Sequence, residues 1–90
     1  MYSVEYTDIA LEDMRKLKRS EPRAFDKLRT LLIELMQHPH TGTGKPERLS
    51  GSRLGQWSRR ITQKHRLVYT IEDYRVTVIV LSTYGHYDDK

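Results

Sequence analysis

The chain opens on an alternation. In MYSVEY, Tyr2, Val4 and Tyr6 fall on one side and Ser3 and Glu5 on the other, which predicts a short strand with one buried face. The period then lengthens. In TDIALEDMRKLKRS, Ile9 or Ala10, then Met14 and Leu17, recur at helical spacing behind Thr7 or Asp8, either of which can cap. Acids come early (Asp8, Glu12, Asp13) and bases late (Arg15, Lys16, Lys18, Arg19), as the helix dipole prefers. Ser20 reads as the cap of a second helix, with Glu21 and Pro22 in its first turn, where proline is tolerated. Phe25, Leu28, Leu32, Leu35 and Met36 form the apolar stripe of that helix, and Pro39 stops it. So short a connection predicts an antiparallel helical hairpin.

HPHTGTGKP is a loop by its Gly, Pro and Thr content. Three strands follow, at about 56–61, 66–72 and 75–83, the last two joined by a tight turn at Asp73 and Tyr74. VTVIVLS is apolar on both faces, which suits a central strand. The expected fold is α+β: an N-terminal strand, a two-helix hairpin and a three-stranded antiparallel meander, closing into one twisted sheet. Ninety residues make one domain, 1–90. No repeat, low-complexity segment or linker interrupts it.

Composition narrows the setting. No apolar run is long enough to span a membrane, and no basic-then-apolar start marks a secretory signal. With no cysteine, disulfides and thiolate metal sites are excluded, which fits a reducing cytoplasm. The net charge is +4, and it is uneven. Residues 1–37 carry seven acids and seven bases; residues 38–90 carry nine bases against five acids. A basic surface confined to one half suggests a polyanionic partner such as nucleic acid or the ribosome.

The candidate chemistry lies in that half. Residues 44–69 hold seven Lys or Arg and one carboxylate, Glu47. On the strand at 56–61, Trp57, Arg59 and Ile61 share one face, Ser58 and Arg60 the other. On the next strand Leu67, Tyr69 and Ile71 look inward, which sends Arg66 outward. An odd loop such as 62–64 then puts Arg60 and Arg66 together on the face away from the helices. Two guanidiniums side by side repel unless an anion sits between them, and a phosphate matches their fork; the alternative is that each pairs with a carboxylate. Arg59, grouped with Trp57, would have to snorkel past the core edge. Past the last strand stands His86, able to give or take a proton near neutrality. The other histidines, His38, His40 and His65, lie in or beside loops. HPH offers two metal ligands without a third or fourth at suitable spacing, so neither metal nor cofactor is expected.

These parts match the needs of metal-independent RNA cleavage. A base removes the proton of a 2′-hydroxyl that attacks the adjacent phosphorus, cations steady the phosphoryl oxygens, and an acid protonates the departing 5′-oxygen. Glu47 fits the base, Arg60 and Arg66 the oxyanion clamp, and His86 the acid. Tyr87 can hydrogen-bond phosphate or stack on a base. Lys45, Arg48, Arg59 and Lys64 are further candidates for RNA or phosphate contact.

The segments GTGKPERL, WSRRITQKHRLVY and GHY, at these spacings, resemble the YoeB/Txe toxins of bacterial toxin–antitoxin pairs, a branch of the RelE superfamily. The resemblance implies a ribosome-dependent endonuclease that cuts mRNA in the ribosomal A site, against 16S rRNA, and so halts translation. It assigns Glu47 as general base, Arg60 and Arg66 to the scissile phosphate, and His86 and Tyr87 as acid and orienting group. It also implies a homodimer and a cognate antitoxin whose C-terminal segment wraps the toxin. Three positions depart from the pattern and bear on rate and cleavage preference: Ser50 stands where a lysine is frequent, Tyr84 where a basic residue is common, and Asp88, Asp89 and Lys90 extend the end. A non-cleaving toxin of the same fold, blocking the ribosome or a partner protein, is the alternative.

Overall fold

The computed structural model describes residues 1–85. Strand β1 (Ser3–Tyr6) leads into helices α1 (Asp8–Ser20) and α2 (Pro22–Gln37), followed by strands β2 (Glu47–Arg48), β3 (Gln56–Arg60), β4 (Arg66–Glu72) and β5 (Thr77–Ser82). The strands form one sheet in the order β1-β5-β4-β3-β2. β3, β4 and β5 are the expected antiparallel meander, and β1 returns parallel to β5. The doubly apolar β5 is therefore central, flanked by β1 and β4. No helix among the described residues is long and apolar enough to cross a membrane.

Both helices cover one face of the sheet. Ala10 and Leu17 of α1 and Ala24, Leu28, Leu31, Leu32 and Leu35 of α2 pack on Ile61, Leu67, Tyr69, Val78 and Val80. Ile9 is left exposed, because Thr7 is the cap: its hydroxyl accepts from the Ala10 N–H at 3.0 Å, which turns Ala10 inward.

Four details differ from expectation. Ser20 ends α1, its hydroxyl bonding back to the Lys16 carbonyl, and Glu21 sits at the cap of α2 with Pro22 at the first helical position. The β4–β5 connection is longer than two residues: a 3₁₀ turn at Asp73–Arg75 with Val76 left-handed at φ 50°, so β5 starts at Thr77. β3 stops at Arg60. The fourth difference is β2 itself, a two-residue edge strand read in the sequence as loop. Two residues are too few for alternation to show.

Candidate active site

Register fixes which side chains meet. Glu47 faces Ser58, Ser58 faces Val68, and Val68 faces Ser82, a row that crosses the sheet from β2 to β5. These residues alternate with Trp57, Leu67 and Tyr69, which belong to the helix side, so the row lies on the open face. Its floor is buried at Ser58 and Val68, while Glu47 at the edge is exposed.

The next row belongs to Arg60 and Arg66, direct cross-strand partners. The Arg60 N–H donates to the Gly44 carbonyl at 2.7 Å and the Arg66 N–H to the Gly85 carbonyl at 2.9 Å. Each backbone points away from the other strand, so this is the close, non-hydrogen-bonded kind of pair, with Cα atoms about 4.5 Å apart. Like charges placed directly opposite are destabilising. Among the described residues no carboxylate forms an ion pair with either arginine, and no cation forms one with Glu47. Arg66 curls partly back, Nη1 donating to the Thr62 carbonyl at 2.7 Å. Glu47 is diagonal to Arg60, a separation of about 7–8 Å. Glu47, Arg60 and Arg66 thus occupy adjacent rows of the open face. The Gly85 carbonyl contact brings Gly85 beside Arg66. His86 and Tyr87 lie outside the described residues.

The other expected contacts divide. Lys45 is exposed two residues before β2 begins, left-handed at φ 52°. Lys64 is exposed in the β3–β4 loop, its Nζ 3.8 Å from Glu21 Oε2. Arg48 does not join the Glu47 face. It pairs with Trp57 and holds its guanidinium 5.6 Å from that ring's centre, because neighbours on an extended strand point oppositely. It therefore does not replace the charge absent at Ser50, itself exposed at the start of a short 3₁₀ turn.

Arg59 is the clear correction. It is not open to RNA: it is fully buried, and all five of its N–H groups are directed at protein oxygens. Nε donates to Tyr69 Oη (3.0 Å), Nη1 to Glu34 Oε1 (2.8 Å) and the Thr43 carbonyl (3.3 Å), and Nη2 to the His38 (2.6 Å) and Thr41 (2.8 Å) carbonyls. Tyr69 in turn donates to the Pro39 carbonyl at 3.1 Å. The guanidinium thus gathers the loop that delivers Glu47. Arg59 has a carboxylate partner, Glu34, whereas Arg60 and Arg66 have none among the described residues.

Sequence reasoning passed over Glu34. Its carboxylate accepts from the Thr43 N–H (2.8 Å) and hydroxyl (2.7 Å) as well as from Arg59. The Thr43 hydroxyl above all, with the Thr43 N–H and the Arg59 charge, holds this carboxyl below its ordinary range against the opposing effect of burial. The signal lay in GTG. A Cβ on Gly42 would stand 2.5 Å from Glu34 Oε1, and one on Gly44 would stand 3.0 Å from the Arg60 carbonyl. Both glycines also have positive φ, 125° and 86°. The motif is a close-packed seat for the loop, which carries the backbone straight into Glu47.

A five-stranded sheet with two helices on one face is the architecture of the small YoeB/RelE-type toxins. Residues 6–87 match the family described as YoeB-like toxin of bacterial type II toxin-antitoxin system. The chain belongs to this family. It is 38% identical over 79 residues to a Toxin YoeB of Mycobacterium bovis, covering 88% of this chain and 93% of the relative. Among solved structures, a YoeB/ParE toxin from Agrobacterium tumefaciens superposes with a TM-score of 0.88 at 33% identity, covering 94% of this chain and 99% of the other. YoeB from Staphylococcus aureus, solved in complex with YefM, superposes at 0.82 with 31% identity, covering 97% and 99%. A YoeB dimer from S. aureus superposes at 0.83 with 31% identity, covering 96% and 98%.

Proposed function

We propose that this toxin is an mRNA endonuclease that works in the ribosomal A site, with Glu47 as general base and Arg60 and Arg66 as the phosphate clamp. The observation that carries the reading is the pairing of Arg60 with Arg66 on the open face, one row from Glu47, without carboxylate partners among the described residues. A phosphodiester between the guanidiniums relieves their repulsion and places its 2′-hydroxyl toward the edge strand. Glu47 takes that proton, and the oxygen closes on phosphorus to a 2′,3′-cyclic phosphate. As negative charge grows on the equatorial oxygens the arginine forks hold it more tightly, which is where the acceleration arises. His86 follows directly on Gly85, which Arg66 holds, and supplies the proton for the departing 5′-oxygen; Tyr87 orients or stacks. No step in this scheme needs a metal ion.

An open, shallow face grips mRNA weakly by itself, so the ribosome presents the strand, which places the toxin in the cytoplasm. The S. aureus complex and dimer support two further parts of the reading: a cognate antitoxin, and a toxin dimer. Primer-extension mapping of mRNA on stalled ribosomes tests the whole. Cuts within A-site codons that disappear in Glu47→Ala and His86→Ala, with ribosome binding kept, are the expected result. Translation arrest on unbroken mRNA overturns the reading in favour of a blocking toxin.

A further inference from the structure

We propose that His65 is a positioning residue: its Nδ1 holds the Gly85 N–H and so fixes Gly85 against Arg66 of the clamp. The inference rests on the nuclease reading above, which needs Arg66 held in place. His65 is buried, and it precedes Arg66 in the chain. The Gly85 N–H donates to its Nδ1 at 2.9 Å. A ring nitrogen that accepts carries no proton, so in the neutral ring the hydrogen sits on Nε2. That nitrogen donates to Glu21 Oε2 at 2.8 Å. The tautomer is thereby set from both ends.

Glu21 is committed to this duty. It occupies the cap position of α2 yet makes no side-chain cap bond; its carboxylate faces His65 instead. The His65 hydrogen bond above all draws the Glu21 carboxyl below its ordinary range despite burial. Tyr84 closes over the imidazole, ring centres 4.4 Å apart, and the Lys16 ammonium lies 4.4 Å from the Tyr84 ring centre. Tyr84, which departs from the family pattern, is therefore the lid of this anchor. Asp13 accepts the Thr83 N–H at 3.0 Å, and the Gly85 carbonyl accepts from the Arg66 N–H at 2.9 Å. Both polar backbone groups of Gly85 are thus held, one by His65 and one by Arg66. The helix junction, the arginine clamp and Gly85 form one connected frame. A misplacement of about 1 Å in that frame is enough to cost on the order of 10²-fold in rate.

Two substitutions separate anchoring from packing. In His65→Asn, the side-chain oxygen sits near the Nδ1 position and accepts from Gly85, while the link to Glu21 is lost. In His65→Gln, the amide nitrogen reaches the Nε2 position and serves Glu21, with no acceptor for Gly85. Both lose the ring face under Tyr84. The expected result is Gly85 amide exchange within about threefold of the parent for Asn and accelerated by about tenfold or more for Gln. At comparable Tm, kcat for ribosome-bound mRNA should fall about tenfold further for Gln than for Asn, with KM unchanged. Activity that tracks Tm in both variants, or a Gln variant with Gly85 still protected, overturns the proposal. The unsubstituted protein provides a test that does not depend on variants folding. Its ring ¹⁵N shifts should report a proton on Nε2 and none on Nδ1, and a proton on Nδ1 overturns the assignment. A parent toxin that leaves mRNA whole overturns the nuclease reading, while the exchange comparison still decides what His65 holds.

Discussion

Arg59 and Arg60 are consecutive residues of one strand, and their surroundings are opposite. On the helix side, Arg59 gives every N–H to a named oxygen, one of them on the Glu34 carboxylate. On the open side, Arg60 faces a second cation, Arg66, with no carboxylate against it among the described residues. A buried charge persists only when paired and hydrogen-bonded, so Arg59 reports on the fold. A pair of like charges on the open face, Arg60 exposed and Arg66 half-buried, persists at a small cost in stability, which is what the proposed phosphate clamp requires. On the proposed function, stability and chemistry are carried by the two faces of a single strand.

The sharpest way to break this contrast is to remove Arg59. Arg59→Met leaves Glu34 facing an apolar side chain and strips donors from three loop carbonyls. Losing one partner of a buried pair costs about 3–5 kcal/mol, and partial exposure of Glu34 places this site toward the lower figure. A fall in Tm on the order of 15 °C is expected for a domain of this size. Arg59→Lys should recover little, because an ammonium lacks the planar fork that reaches five acceptors. A Met variant with parental Tm, read by thermal circular dichroism, would show that the loop is held by something else.

Arg60→Ala should do the reverse. Cleavage is expected to drop by about 10²–10³-fold, the effect of deleting one transition-state donor. Stability should stay within about 0.5 kcal/mol or rise slightly as repulsion with Arg66 is relieved. If Tm falls as far as in Arg59→Met, the open face is structural and the comparison collapses.

How much of this was legible beforehand follows from the same contrast. The alternation in the strand at 56–61 and an odd loop were enough to place Arg60 beside Arg66, because a period of two is rigid. The helix hairpin, the meander and the central β5 followed from their apolar patterns. The partner of Arg59 was not legible, since Glu34 lies twenty-five residues earlier and only the folded chain brings them together. β2 was not legible because two residues carry no period. Yet Glu47 owes its place on the open face to β2, where it is paired with Ser58. His65 looked like a loop histidine; its burial comes from the return of residues 83–85, a contact that local pattern does not encode. The cap of α2 was misassigned by one residue because Glu21, acidic and next to Pro22, serves His65 rather than the helix.

Gly42 sharpens the contrast with a smaller effect. Gly42→Ala would drive a methyl to 2.5 Å from Glu34 Oε1 at a backbone φ of 125°. A loss of about 1–3 kcal/mol is expected, with cleavage reduced further than Tm alone accounts for, since the loop sets the start of β2. Gly51→Ala, where nothing lies within 4 Å of the added carbon, meets only the backbone preference at φ 65°, about 1–2 kcal/mol. Urea unfolding of the two variants, alongside their cleavage rates, tells seat from strain: equal losses on both readouts would mean that Gly42 matters for its dihedral alone.

The smallest expected effect is that of acid, and its sign follows from Glu34. The Thr43 hydroxyl chiefly, and then the Thr43 N–H and Arg59, favour the ionised carboxylate in the folded protein. Its folded pKa is therefore below the unfolded value of about 4.3. A depressed carboxylate binds fewer protons folded than unfolded, so its stabilisation is complete above the unfolded value and is lost as pH falls through the folded one. Glu21, drawn down by its bond to His65, acts in the same direction. Stability measured by urea unfolding should be flat above about pH 5 and decline below about pH 4. In Glu34→Gln the plateau should be lower and the acid decline shallower, because the titrating group is gone. Arg59 then retains its four neutral acceptors, Tyr69 Oη and the carbonyls of His38, Thr41 and Thr43, which is why protonating Glu34 should cost less than deleting Arg59. An acid limb as steep in Glu34→Gln as in the parent would mean that this pair is not what ties the loop to the sheet.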